Sequence, residues 1–169
     1  IPSVINDFYY FSKPINTNKN FNNFTIGWIG SAATTHYLEI VKEALNSICE
    51  NYSNIKIILI GSSNFKFKHN ITREKWSLEN EINIINNFDI GIMPLNSDNF
   101  SLGKCGFKII QYMSLGVPVI ASNVGFNKEI IDNGINGFLV NNTEEWIKYF
   151  KLLINDRALR IKLGSQARK

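Results

Sequence analysis

Gly103, Lys104, Gly106, Lys108 and Gln111 fall within one nine-residue stretch, G-K-C-G-F-K-I-I-Q. Lys104 and Lys108 are four residues apart and Gln111 follows three later, so on a helix the three share one face. Two lysines at a helix start oppose the positive end of the helix dipole. An anion docked there removes the conflict, because free backbone N–H groups and two ammonium groups converge on it. Gly103 and Gly106 take away side chains where the backbone has to come close to a ligand. The alternative is a pair of solvated surface lysines.

A second place suits phosphate. Thr25 to Ile29 (T-I-G-W-I) reads as a strand, Gly30-Ser31 as a turn, and Leu38 to Cys49 as a helix with Ile40, Val41, Ala44, Leu45 and Ile48 at helical spacing. Strand, glycine turn and helix form the general phosphate-binding arrangement of α/β folds. Neither G-x-G-x-x-G nor G-K-[ST] occurs here, so the pattern alone is weak. His36 either donates to a phosphate or caps the helix start. The sequence offers no nucleophile triad, metal cluster or paired carboxylates for glycoside hydrolysis. Glu129 and Asp132, three apart on a helix, read as a solvated face.

The elements that must position these residues alternate along the chain. A helix is expected from near Cys105 to Gly116, with Ile109, Ile110 and Met113 toward the core, and then a strand over Pro118 to Ala121. Ile55 to Ile60 is a buried strand ending at Gly61. Phe67 to Ile71 is expected as a short edge strand, and Ser77 as the N-cap of a helix carrying Glu81, Ile82, Ile84, Ile85 and Phe88. Asp89 to Met93 and Phe138 to Val140 read as strands. Asn127 to Asn133, Thr143 to Ile154 and Ala158 to Ala167 read as helices. The alternation predicts an α/β fold, a Rossmann-like parallel sheet with helices on both faces.

A chain of 169 residues fits one domain with a sizeable core. Its net charge of +4 is scattered, which suits anionic small molecules or an anionic membrane surface and argues against nucleic acid. Cys49 and Cys105 have no metal or CxxC spacing, as expected of a reduced, cytoplasmic protein. No apolar run reaches membrane-spanning length and no signal peptide is visible. The start at Ile1 and the end at Lys169 in mid-pattern suggest a piece of a longer chain.

The run Gln111 to Ser122 (Q-Y-M-S-L-G-V-P-V-I-A-S) resembles the E-A-M-A-x-G-x-P-V-V-A-S signature of glycosyltransferase group 1 enzymes, which are retaining, GT-B fold enzymes of family 4. G-K-C-G-F-K is similar to the G-K-C-x-F-K of a bacterial subgroup rich in cell-surface polysaccharide enzymes. D-I-G-I-M-P-L and G-I-N-G-F-L-V also match family patterns in order and spacing. The resemblance implies that residues 1–24 are an interdomain arm and 25–169 the nucleotide-sugar donor-binding domain, with the N-terminal acceptor domain absent. It places Gly30, Ser31, His36, Lys104, Gly106, Phe107 and Lys108 at the donor diphosphate and Gln111 at the ribose. Ile71, Thr72, Arg73 and Trp76 fall in the nucleobase region. Trp76 would stack on the base there, although a buried core tryptophan is the commoner role for such a residue.

The chain departs from the family in four places. Two family glutamates seven residues apart correspond to Gly103 and Gln111, and the family's Arg and Lys for the diphosphate correspond to Ser31 and His36. Gln111 keeps hydrogen-bonding capacity for a ribose, whereas Gly103 cannot replace a carboxylate. The resemblance therefore implies a retaining, hexosyl-type transferase in which Lys104 and Lys108 serve the diphosphate. It would take a sugar from a nucleoside-diphosphate donor to a glycan or lipid-linked acceptor, without metal or cofactor. The isolated piece is expected to bind nucleotide and transfer little. A cytoplasmic site with peripheral contact at the inner membrane face follows from the subgroup. A degenerate nucleotide-binding module and a GT-B nucleotide-sugar epimerase are the competing readings.

Overall fold

Strand β1 (Phe24–Ile29) is buried along its whole length, and the sheet is laid out around it. The computed structural model describes Tyr10, residues 23–98 and residues 105–169. From β1 the chain passes through a 3-10 segment (Ala32–Ile40) and helix α1 (Lys42–Asn51) to β2 (Ile55–Ile60) and β3 (Ile71–Glu74). Helix α2 (Glu81–Ile85) leads to β4 (Ile90–Met93), and helix α3 (Phe107–Ser114) to β5 (Val119–Ser122). Helix α4 (Asn127–Ile130), β6 (Gly137–Val140), α5 (Thr143–Asn155) and α6 (Arg157–Ala167) follow.

The six strands lie in the order β3-β2-β1-β4-β5-β6, and every neighbouring pair is parallel. The expected Rossmann-like sheet is therefore what forms. Parallel strands bury both faces, and the alternation of side chains shows it. Phe24, Ile26 and Trp28 join Ile57 and Leu59 in a core with Leu45, Trp146 and Phe150 on one face. Ile29, Ile58 and Ile60 join Ile85, Ile109 and Tyr112 on the other. Successive strands lie to one side of β1 and then to the other, so the order reverses between β1 and β4. In such sheets, crevices for ligands open at the carboxyl ends of the strands at that reversal.

The β1–β4 contact is tight in the middle and open at the end. Gly27 and Gly91 are register partners. The Phe88 ring covers one and the Tyr112 ring the other, so an added Cβ would sit 2.0 Å from Phe88 Cδ2 or 2.5 Å from Tyr112 Cδ2. The ladder between these strands ends at that pair. Beyond it the Tyr112 hydroxyl accepts the N–H of Ile29 at 2.9 Å and donates to the carbonyl of Ile92 at 3.4 Å.

Several boundaries differ from expectation. The helix expected over Leu38 to Cys49 is divided, 3-10 up to Ile40 and α from Lys42. The Thr34 and Thr35 hydroxyls both donate to the Ser31 carbonyl, which tightens the first turns. The edge strand begins at Ile71, not Phe67, because Phe65 is buried and Phe67 stacks on it at 5.7 Å. Helix α2 begins at Glu81, where the Ser77 carbonyl, rather than its hydroxyl, receives the Asn80 and Glu81 N–H groups. Asn142 caps α5, its side chain accepting from the Glu145 N–H at 2.9 Å. Phe24, placed in the arm by sequence, opens β1. Apart from Tyr10, residues 23 and 24, the arm lies outside the described residues.

Candidate functional site

A cleft of about 780 Å³ opens at the carboxyl end of β1. Gly30 and Ser31 form its floor as β1 ends, and Phe107, Lys108 and Gln111 of helix α3 form one wall. Gly61, just past β2, Thr34 of the 3-10 segment, and Trp76 and Glu81 from around α2 complete it, with Tyr10 from the arm.

Helix α3 turns Phe107, Lys108 and Gln111 to the cleft. Gly106 precedes it at φ +67°, the left-handed region that favours glycine, and its missing Cβ leaves room for Ile130. Among the described residues, Gly106 at the N-cap offers no side-chain cap, and no acidic residue lies in the first turn. Its N-terminal end carries the positive pole of the helix. The Lys108 ammonium stands 5.1 Å from the centroid of the Trp28 ring. Phe107 is exposed, and Ile109 and Met113 pack inward as expected, while Ile110 is only half-buried.

Trp76 is not a core residue. It is 55% exposed, and its indole N–H donates to Glu81 Oε2 at 2.5 Å. Glu81 is 3% exposed, and its Oε1 accepts the Tyr10 hydroxyl at 2.5 Å. Tyr10 in turn accepts from Gln111 Nε2 at 2.7 Å. These four residues form one hydrogen-bonded chain along the cleft wall. Beneath it, Tyr112 is fully buried, and burial raises its phenol well above the ordinary value despite the opposing hydrogen bond from Ile29.

Of the residues singled out by sequence, Gly30, Ser31, Phe107, Lys108, Gln111 and Trp76 line this cleft. Gly106 adjoins it as the residue before α3. His36 does not reach it. Its Nδ1 lies 2.9 Å from the Ala33 carbonyl and its ring packs at 4.1 Å on Tyr37, so it serves its own turn. Ile71, Thr72 and Arg73 belong to edge strand β3 and are not among the lining residues, and Arg73 donates to the Phe65 carbonyl at 2.8 Å. Lys104 and Gly103 lie outside the described residues. The Ser31 N–H is occupied by Thr34 Oγ1 at 3.0 Å.

Sequence reasoning missed Tyr10, Ile29, Ala32, Thr34, Gly61, Leu78 and Glu81 as parts of the cleft. Gly61 had a signal, a glycine at the end of a buried strand next to β1. Glu81 had none beyond its place on a helix. Among the described residues, no three His, Cys, Asp or Glu side chains gather to hold a metal, and no helix is long and apolar enough to cross a membrane.

Residues 12–169 match the family described as glycosyl transferases group 1. The chain is 26% identical over 162 residues to the capsular polysaccharide biosynthesis glycosyltransferase CapM of Staphylococcus aureus, covering 88% of this chain and 41% of CapM. The chain spans about two-fifths of the length of CapM and of a second curated relative, the spore coat protein SA of Bacillus subtilis. Its fold is that of the C-terminal domain of LpcC from Francisella tularensis, a glycosyl transferase group 1 protein. The two superpose with a TM-score of 0.71 at 20% identity over 99% of this chain and 91% of that one. Anabaena HepE, solved in complex with UDP-glucose, gives a TM-score of 0.71 at 19% identity over 87% of this chain and 43% of HepE. With its parallel sheet, its cleft at the strand reversal and a family match over nearly all its length, the chain belongs to the glycosyl transferases group 1 family.

Proposed function

We propose that this chain is the donor-binding domain of a retaining glycosyltransferase, and that the cleft at the end of β1 holds the nucleoside diphosphate of a sugar donor. One observation carries the reading. An exposed aromatic ring, Trp76, a hydrogen-bonding amide, Gln111, and the first turn of α3 with Lys108 line a single cleft. They offer a surface for a base, a partner for a ribose hydroxyl and a positive end for phosphates. HepE, which shares the fold, was solved in complex with UDP-glucose.

The chemistry asked of the domain is electrostatic. When a sugar leaves a nucleoside diphosphate, negative charge grows on the departing phosphate. Donors already aimed there lower the barrier without proton transfer. Lys108 and the first N–H groups of α3 fill that role, with Lys104 as the second cation. A second domain would bring the glycan or lipid-linked acceptor over the cleft, since sites of this kind lie between domains.

Calorimetric titration with UDP, GDP and ADP tests the reading. One of the three is expected to bind, and Lys108→Ala to weaken it about tenfold, the worth of a lost charged hydrogen bond. Failure of all three to bind at millimolar concentration, to this chain and to a longer chain with its partner domain, would refute it.

A further inference from the structure

The chain of hydrogen bonds from Trp76 to Gln111 has a direction, and that direction is set at Glu81. An indole N–H only donates, so the Glu81 oxygen facing Trp76 accepts. The other oxygen accepts the Tyr10 hydroxyl proton. Having given its one proton to Glu81, Tyr10 can only accept from Gln111, and the side of the amide turned toward it must be the NH2. The amide oxygen of Gln111 is then the atom left for the cleft that Gln111 lines. We propose that Glu81 is a positioning residue that, through Tyr10, makes Gln111 present a hydrogen-bond acceptor to a hydroxyl-bearing ligand, here a ribose of the donor nucleotide. This rests on the nucleotide reading above and adds what that reading leaves open, namely how a neutral amide is made to behave as an acceptor.

The geometry suits the task. Glu81 is 3% exposed and Gln111 is 4% exposed, so neither partner can drift into water to exchange bonds. The Gln111–Tyr10 bond is 2.7 Å and both Glu81 bonds are 2.5 Å. A buried polar chain with every link made is rigid, whereas one misplaced donor leaves a buried group unpaired. The same chain ties the Trp76 ring, at the other end of the wall, to a fixed point.

Glu81→Gln tests this because it reverses the order of donors without changing shape. The new amide cannot turn its NH2 toward the Trp76 N–H, so its NH2 faces Tyr10. Tyr10 then accepts there and sends its proton to Gln111. The Gln111 amide turns over, and its NH2 faces the cleft. The probes are whichever of UDP, GDP and ADP binds the wild-type chain most tightly and its two analogues with fluorine in place of the 2′- or the 3′-hydroxyl. Fluorine cannot donate. The wild-type chain should prefer the hydroxyl over fluorine at one position by about tenfold, because the acceptor loses its partner and faces a second acceptor. In Glu81→Gln that preference should shrink to about threefold or less. Adding Gln111→Glu to Glu81→Gln should restore it, since a carboxylate accepts whichever way Tyr10 points. Tyr10→Phe, which cuts the chain at its centre, should also reduce it.

A preference that survives Glu81→Gln unchanged would overturn the proposal. So would equal weakening of all three ligands with no rescue by Gln111→Glu, which is the mark of a purely structural residue. If the wild-type chain and its longer form bind no nucleotide, the donor reading itself fails and carries this proposal with it. That result is distinct from nucleotide binding without a hydroxyl preference, which sinks the proposal alone.

Discussion

The Tyr112 hydroxyl accepts the Ile29 N–H at 2.9 Å, where the β1–β4 ladder has already ended. A side chain from α3 thus takes over from a strand at the point where the sheet opens into the cleft. The same bond fixes the last residue of β1 before Gly30 and Ser31, which line the site.

Tyr112→Phe should cost about 1–3 kcal/mol of stability, because the Ile29 N–H is left unpaired in a buried place. Urea unfolding at neutral pH measures this. The substitution should also change the alkaline behaviour. Burial raises the folded-state phenol above its ordinary value of 10.0, so in alkali the unfolded chain loses this proton first. Stability from Tyr112 is complete below about pH 10 and falls as pH rises above it. Unfolding midpoints from pH 8 to 11 should drop more steeply for the wild-type chain than for Tyr112→Phe.

Trp76 and Lys108 should be separable by ligand. Trp76→Ala is expected to weaken a nucleoside and its diphosphate by the same factor, about tenfold, because stacking acts on the base. Lys108→Ala should weaken only the diphosphate, and that effect should diminish in high salt. Equal loss of both ligands in Lys108→Ala would place the lysine away from the phosphates.

Gly106→Ala should destabilise the chain by two separable causes. The left-handed backbone at φ +67° costs an L-residue about 1–2 kcal/mol. The new Cβ would also lie 2.3 Å from Ile130 Cδ1. Adding Ile130→Ala should relieve the second cause and not the first, beyond the cost of Ile130→Ala alone. A double-mutant cycle read by thermal unfolding separates them.

At the opposite end of β1, buried Asp89 accepts the Thr25 N–H at 2.8 Å, with Arg160 of α6 at 3.9 Å. The Arg160 guanidinium lies 5.0 Å from the Phe24 ring centroid and also donates to the Ile154 carbonyl at 3.2 Å. Burial lowers the Arg160 pKa, and Asp89 opposes that shift. Arg160→Met should lower stability by about 1–3 kcal/mol. Nucleotide affinity should not change, because the cleft lies about 15 Å away along the strand at about 3.3 Å per residue. Parallel denaturation and calorimetry check both halves.

Local pattern made most of the sheet legible. Ile55–Ile60 forms as read, because an unbroken apolar run ending in glycine has few other places to go in an α/β chain. Lys108 and Gln111 share a cleft-facing wall as their helical spacing implies. What the sequence hid was long-range or conformational. Tyr10 and Gln111 are 101 residues apart, and no periodicity connects them. Trp76 looked like core because tryptophan usually is, yet the ring stays 55% exposed while its N–H reaches the buried Glu81 carboxylate. His36 was drawn toward the site by a family position, while its own turn offered the Ala33 carbonyl nearer by. The helix expected from near Cys105 begins at Phe107, since a left-handed Gly106 cannot belong to it.

The register-paired glycines at the heart of β1 and β4 have an effect that only variation would reveal. Each stands in a strand where the other residues are chiefly β-branched, and each has given its space to a ring, Phe88 on Gly27 and Tyr112 on Gly91. A library randomising both strands and selected for folded protein should accept many apolar residues at the neighbouring positions. At 27 and 91 it should return almost nothing but glycine. Any successful escape should come with a smaller residue at 88 or 112, so that each glycine and its ring would be inherited as a pair.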